Sequence, residues 1–390
     1  MKKMSRVWSV ILTIAMVCSV VVMAPAAFAE EEQCPDVPPV VPMADVIPVK
    51  NMAELKDALT SVVNTSITLT ADINYTEGIV INGLFHEIIL NGFTLTITNS
   101  SGAGVTIINN GSLKFDGTVG DIKLVNITGK GYGVYLDDSE LDVVEGHEII
   151  NVTATGGNAT GVYAINNSDA NVSGLVTAAA SGSTGLFSDN SIVSIGNITA
   201  AATGVRATNK SMVYTKDINT TASGSTGIDT AGGSSVSAWM VNAKGTGAQA
   251  IGPGTSVIAS DITATGAAGS IGLKVQSGAA ATVANVTAKA LGVSAQGTGT
   301  NVSVSGEVSV DAKNGIGVYA GAGSLVEIDY ASDVCSTGAG GVGAHADGGK
   351  ILIDGDIIAA GTGAVATAGG EVTVEGWITK NGRTGNPQTP

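Results

Sequence analysis

The chain has 390 residues, of which 33 are acidic and 18 basic, for a formal charge of −15. Glycine supplies 54 residues; hydrophobic residues make up 44 % and charged residues only 13 %. This excludes a disordered chain, which is rich in charge and poor in β-branched residues. It also excludes collagen, because glycine shows no period of three and there are nine prolines, and a strongly basic nucleic-acid binder.

Residues 1–29 read as a secretory signal. Lys2, Lys3 and Arg6 open it, Val7 to Met23 is apolar, and Ala27-Phe28-Ala29 is an A-x-A cleavage site followed by Glu30-Glu31-Glu32. The competing reading is an uncleaved anchor, for which the apolar stretch is slightly short. Removing three of the 18 basic residues leaves 15 against 33 acidic, a net −18. Such an exported chain has no pull toward nucleic acid or anionic lipid. Membrane contact is expected only through the signal during export. Cys18 leaves with the signal. Cys34 and Cys335 remain, and two cysteines can bridge outside the cytosol but make no disulfide framework.

Residues 30–49 hold five of the nine prolines and read as an extended linker. A capping helix is expected over 50–64, running from Asn51 to Val63. Asn51 and Glu54 have capping-box spacing, and Met52, Leu55, Ala58, Leu59, Val62 and Val63 share a face. It would act as a lid on the first layer of a stack. From Ser66 onward short apolar/polar alternations are punctuated by Gly, Asn, Asp and Ser, as in Phe93-Thr94-Leu95-Thr96-Ile97-Thr98. Between Lys50 and Asn386 the one proline is Pro253, as an uninterrupted ladder requires.

A glycine followed by an apolar residue recurs from Gly133 through Gly161, Gly185, Gly204, Gly227 and Gly247 to Gly272, Gly292, Gly317, Gly341 and Gly363, with a mean spacing of 23 residues. Each unit carries three short strand-like runs, one full turn of a coil. After the glycine, the first position (Val134, Val162, Leu186, Val205) and the third (Leu136, Ala164, Ser188, Ala207) are mostly small and apolar, whereas the second is unrestricted. The pattern predicts two inward positions flanking an outward one. Coils share their core with neighbours, which lets side chains as small as Val, Ile and Ala suffice. Ser66 to Tyr132 has the same style without a clear glycine anchor and adds about three coils. The total of about fourteen, at ~4.8 Å each, gives a rod of roughly 65 Å. Leucine-rich repeats lack their Leu-x-x-Leu-x-Leu signature here, β-sandwiches use more core aromatics, and left-handed β-helices repeat in hexapeptides. The expected fold is an all-β, right-handed parallel β-helix over 65–382, with an N-terminal capping helix and a flexible tail at 383–390.

The opening Val49-Lys50-Asn51-Met52-Ala53-Glu54-Leu55-Lys56-Asp57-Ala58-Leu59, followed by Ile67-Thr68-Leu69-Thr70-Ala71-Asp72-Ile73, resembles that of pectate-lyase-like β-helix proteins of bacterial surfaces. The resemblance spans roughly 50–382. It implies an exported, surface-displayed rod, acting as adhesin or spacer at the cell surface or wall. The implied partners are glycans or surface proteins of host or neighbouring cells. The tail Asn386-Pro387-Gln388-Thr389-Pro390 looks like the start of a sortase signal of N-P-Q-T type, without the apolar span and basic end that should follow.

Some relatives are lyases or hydrolases, which is the alternative function. The hydrolase pattern pairs Asp-Asp with Gly-His and Arg-x-Lys. Asp137-Asp138 and Gly146-His147 occur within one coil, and Arg-x-Lys is absent. No catalysis, cofactor or metal is therefore expected. Asp137, Asp138, Glu140, Asp142 and Glu145 offer hard-oxygen ligands for calcium, although alternating acids more often form a solvated face. Asn-x-Ser/Thr triplets at Asn74, Asn126, Asn197 and Asn285 read as turn chemistry leading into strands. Thr94, Thr96 and Thr98 form one row of the flat Thr-x-Thr ladder that an ice- or mineral-binding face would need. The candidate binding residues are Tyr135, Tyr163 and Phe187, which share the outward position on three successive coils. Such rings can stack on sugars or apolar groups, or merely on one another.

Overall fold

A computed structural model describes residues 46–117, 123–143, 148–266, 269–329, 332–380 and 383–385. The signal, Cys34, His147 and the end of the tail lie outside them. Among the described residues the strands wind into thirteen complete coils and a fourteenth made of two strands. Coil 1 is residues 65–82, coil 3 is 112–137, coil 4 is 140–165, coil 5 is 169–189, coil 6 is 192–208, coil 7 is 212–231, coil 8 is 235–251, coil 9 is 256–276 and coil 14 is 371–380.

Each coil contributes to three faces. Face 1 runs from Thr65–Leu69 to Glu371–Val374, face 2 from Ile73–Tyr75 to Ile378–Lys380, and face 3 from Ile79–Asn82 to Thr362–Thr367. Coil-to-coil pairing is parallel throughout. Faces 1 and 2 belong to a 24-stranded sheet and face 3 to a 13-stranded one. From Asp169–Ala178 to Ala280–Ala288 the strands of faces 1 and 2 fuse and bend at a corner. The ladder is interrupted there: between Val172 and Leu175 the register slips against Gly196.

The inward and outward positions on face 3 fall as the repeat dictates. Val134, Leu136, Val162, Ala164, Leu186 and Val205 are fully buried. In the last complete coil Ala364 and Ala366 lose this burial, because no further face 3 strand covers them among the described residues.

The glycine before the first inward position has a steric cause. A Cβ at Gly272 would stand 2.7 Å from the Gly292 carbonyl oxygen and press on Val286 of face 2. The backbones of successive coils and a branched core side chain leave room for hydrogen alone. The same constraint reaches the coils where no anchor was expected. Register places Gly78 and Gly104 beside Gly133, ahead of inward Ile79 and Val105. In the coil after Gly317 the anchor is Gly343, not Gly341, because Val318 pairs with Ala344. The two-residue slip keeps the inward/outward parity. Gly341 lies in the preceding turn instead, where its N–H donates to the Gly338 carbonyl.

The turn from face 3 into face 1 requires left-handed backbone. Asn109, Asn110, Asp138, Asn166, Asn167, Asn190 and Asn209 supply it early in the chain, and Gly232, Gly254, Gly278 and Gly299 supply it later. Behind these turns runs a column of buried hydroxyls. The backbone N–H of Ser139, Ser168, Ser191 and Ser211 donates to the hydroxyl of Ser168, Ser191, Ser211 and Ser234 in turn, at 3.1–3.3 Å. The Ser168 and Ser211 hydroxyls donate onward to the Ile165 and Thr208 carbonyls. Turn groups that water cannot reach are thereby satisfied.

Both ends depart from expectation. The helix α1 is Met52–Leu59 only, capped by Asn51, whose side chain accepts the Glu54 N–H at 3.0 Å. Leu55, Ala58 and Leu59 are buried, but Val62 and Val63 point to solvent, 86 % and 51 % exposed. The β-branched pair adds little helix propensity, and the chain turns after Thr60. The linker also gives up its last residues. Ile47–Val49 pairs with Thr65–Leu69, and Pro48 is tolerated because this is an edge strand. At the other end Arg383–Gly385, expected to be loose tail, pairs antiparallel with Ile378–Lys380. In the sequence, Asn381-Gly382 is a dipeptide of the type that signals a hairpin.

Candidate functional site

The three ring-bearing residues Tyr135, Tyr163 and Phe187 are brought together on the outer side of face 3. They are direct register partners on coils 3, 4 and 5. Tyr135 and Tyr163 stack with centroids 5.4 Å apart and planes at 6°; Tyr163 and Phe187 stack at 4.8 Å and 11°. A fourth ring was not anticipated. Tyr132, in the column before the glycine, meets Tyr135 and Tyr163 at 5.3 and 5.1 Å. Reading the repeat from the glycine onward hides this column, which holds Thr160, Thr184, Thr203 and Thr226 in the following coils.

The rings spend their faces on one another. Both faces of Tyr163 are covered, so a ligand meets ring edges and phenol hydroxyls rather than open π-surfaces. Burial first, then the charge of Asp137, raises the Tyr135 hydroxyl above its ordinary range; burial, then Tyr132, does so for Tyr163. Both hydroxyls are donors at neutral pH. Asp137 borders the row and accepts from the Asn166 amide at 2.8 Å. Beyond Phe187 the column continues with Arg206, tied to Asp229 at 2.9 Å, which also accepts from the Gln249 amide at 2.7 Å.

The acidic residues of coils 3 and 4 are dispersed in structural roles. Asp138 takes φ 48° in the turn, and its carbonyl accepts the Asn110 N–H. Glu140 accepts from the Ser112 hydroxyl at 3.2 Å, and Asp142 accepts from the Val143 N–H. A polar hollow bounded by Asp138, Glu140, Asp169, Asn110 and Asn167 lies at this corner. Among the described residues no group of three His, Cys, Asp or Glu has metal-holding geometry. Cys335 is free, and burial together with nearby Glu307 pushes its thiol up to about 12.

Among the asparagines of the Asn-x-Ser/Thr triplets, Asn285 ties neighbouring coils together. Asn285 donates to Asp261 at 2.9 Å while accepting the Glu307 N–H at 3.0 Å. The Thr row also continues: Thr98, Thr128, Thr153, Thr177 and Thr199 are successive register partners on face 2. It stays one column wide, since its outward neighbours are Asn126, Asn151, Leu175 and Asn197.

The two most exposed rings among the described residues escaped the sequence reading. Trp239 is 67 % and Tyr214 52 % exposed, on the fused strands of coils 8 and 7, with Met212 also on coil 7 and Ile192 and Ile258 on coils 6 and 9. Isolated apolar letters in outward columns were the available signal. Following the glycine-anchored run alone passed them over.

No family model matches this chain, and no curated protein matches it. Among solved structures, it is similar to a chain described as "L. reuters 100-23 SRRP", at 14 % identity, covering 86 % of this chain and 98 % of that one, with a TM-score of 0.26. A likeness at that level carries no argument. Among the described residues no helix is long and apolar enough to cross a membrane.

Proposed function

We propose that this chain is an exported β-helical protein of the cell surface or wall, acting as an adhesin or structural spacer without catalysis. Supporting export are the positively charged, apolar N-terminal segment and its A-x-A site. The observation that carries the adhesive reading is the outward row of Tyr132, Tyr135, Tyr163 and Phe187, held at fixed spacing by a ladder that cannot slip without burying polar side chains. A rigid stack presenting phenol edges beside Asp137 suits glycans or surface proteins of host or neighbouring cells. The non-catalytic reading draws on how the candidate chemistry is engaged. Asp137 is hydrogen-bonded to Asn166, Asp138 shapes a turn, and Arg206 is paired with Asp229.

The test is binding of the labelled full chain to bacterial and epithelial cells and to a glycan panel. Tyr135→Ser, Tyr163→Ser and Phe187→Ser together should abolish binding and leave the β-type circular dichroism intact. Unchanged binding by the triple variant removes the row as the contact. Unsaturated or reducing-end products from a uronic-acid polymer, lost in Asp137→Asn or Asp138→Asn, would establish the lyase or hydrolase alternative instead.

A further inference from the structure

On the fused face, around the middle of the stack, the outward side chains make a notch. Ser237 on coil 8 is the register partner of Tyr214 on coil 7 and of Ile258 on coil 9. Tyr214 and Ile258 are both at least half exposed. A small side chain therefore lies between two large ones whose Cα atoms are roughly 9.6 Å apart, two strand spacings. Ser235 extends the floor, flanked by Met212 and bonded through its hydroxyl to Ser256 at 2.9 Å. Trp239 closes the end, two residues beyond Ser237 at the corner where the strand bends. There Trp239 and Met240 both turn outward while Ala238 and Val241 stay in the core.

The rim beyond Trp239 is polar. Lys216 occupies the corner position of coil 7 beside Trp239, and Asp217 and Asp261 flank Met240. Lys216 is exposed, and neither it nor Asp217 makes an ion pair among the described residues. The notch thus combines two aromatic groups, an aliphatic wall one strand beyond the serine floor, and donors and acceptors without ion-pair partners at one end.

We infer that this notch is a binding site for one pyranose unit of a neutral glycan. A pyranose is a slab with an apolar C–H face and a rim of hydroxyls. The indole and phenol suit the face, and Lys216 and Asp217 suit the rim. The charge selects among sugars. Asp217 and Asp261 outnumber Lys216 beside the site, on a chain of net charge −15, so uronates and other anionic sugars are disfavoured. A purely apolar partner would leave the Lys216 and Asp217 groups desolvated without compensation. The site lies on a different face from the Tyr135 row and does not depend on it.

The experiment is calorimetric titration of the full chain with cellohexaose, xylohexaose, mannohexaose, laminarihexaose and hexagalacturonate, with sedimentation of the free protein alongside. At least one neutral hexaose should bind saturably, and hexagalacturonate should not. Trp239→Ala and Tyr214→Ala should each weaken that binding by about tenfold or more. Ser237→Leu, which fills the floor and leaves every wall in place, should abolish it, and Trp239→Tyr should restore part of what Trp239→Ala loses. The Tyr135, Tyr163, Phe187 triple Ser variant should bind as the wild type does, which separates this site from the adhesive row. No binding of any neutral hexaose, binding of hexagalacturonate alone, or equal binding by Ser237→Leu overturns the inference. Concentration-dependent self-association lost in Trp239→Ala would likewise overturn it, assigning the patch to a second copy of the chain.

Discussion

His86 is fully buried in the second coil, with its Nδ1 against the Thr65 hydroxyl and its Nε2 without a hydrogen-bond partner. Burial lowers its pKa from the ordinary 6.5, so the folded chain keeps the ring neutral. Well above pH 6.5 neither state binds the proton and stability is unaffected. As pH falls below 6.5 the unfolded chain takes up a proton that the folded chain refuses, and stability is lost. Asp169 and Asp329 have opposite sign, since burial first and a neighbouring carboxylate second raise their pKa values. The informative quantity is therefore a difference. The drop in melting temperature from pH 7 to pH 5 should be smaller in His86→Leu than in the wild type, by differential scanning calorimetry. A second orphan group is the Thr230 hydroxyl, buried in an inward column of face 3 between its register partners Ala207 and Ala250. Thr230→Val keeps the shape and removes a desolvated group, and should stabilise the chain by about 1 kcal/mol. A lower melting temperature in that variant would mean that the hydroxyl has a partner.

At the scale of the element, a strand and turn hold their place through backbone groups that side chains of the next coil complete. Ser211 accepts the Ser191 N–H at 3.3 Å and donates to the Thr208 carbonyl at 2.7 Å, with no exposure to water. Ser211→Ala strands both and should cost about 1–3 kcal/mol in urea unfolding, whereas exposed Ser194→Ala should stay within about 0.5 kcal/mol. Gly204→Ala is expected to act by overpacking. Its methyl would meet Ile218 and lie 2.5 Å from the Gly227 carbonyl oxygen, a strain of about 1–3 kcal/mol. These two devices also mark how far the sequence could be read. The glycine column was legible where an apolar residue followed at an interval near the mean of 23, because its cause is local and repeats. Gly78 and Gly104 escaped because their coils carry longer loops, and Gly341 misled because a second glycine lies two residues on. The serine column was seen only as turn chemistry, since its partners are other serines 20 to 29 residues away. The ring row was legible because three aromatic residues share one repeat position. Tyr132 was not, because it precedes the anchor. Trp239 and Tyr214 occupy different outward columns on coils 7 and 8, and only register shows that they border the same serine.

For the whole molecule, the consequence of parallel stacking is that each coil touches mainly the one before and the one after. Stability is then close to a sum of coil terms and nearest-neighbour interfaces, and the length of the stack is adjustable. The register makes this testable. Ile271 pairs with Leu291, and Gly272 and Gly292 hold the same anchor position in adjacent coils. Deleting residues 272–291 joins Ile271 to Gly292, removes one full turn, and returns every later residue to the column it left. That deletion should preserve the β-type circular dichroism and a cooperative melt, shifted by no more than a few degrees. Deleting residues 272–281 removes a shorter segment, yet it carries the chain from the start of face 3 directly into the middle of face 1. Each later strand would then have to cross the stack or leave its ladder partners unpaired, so this variant should fail to give a cooperative transition. Loss of folding in both deletions would show that the coils are not interchangeable layers and that cooperativity spans the stack. Retention of folding in both would show that the ladder tolerates a break in register that the buried Val and Ile columns are here argued to forbid.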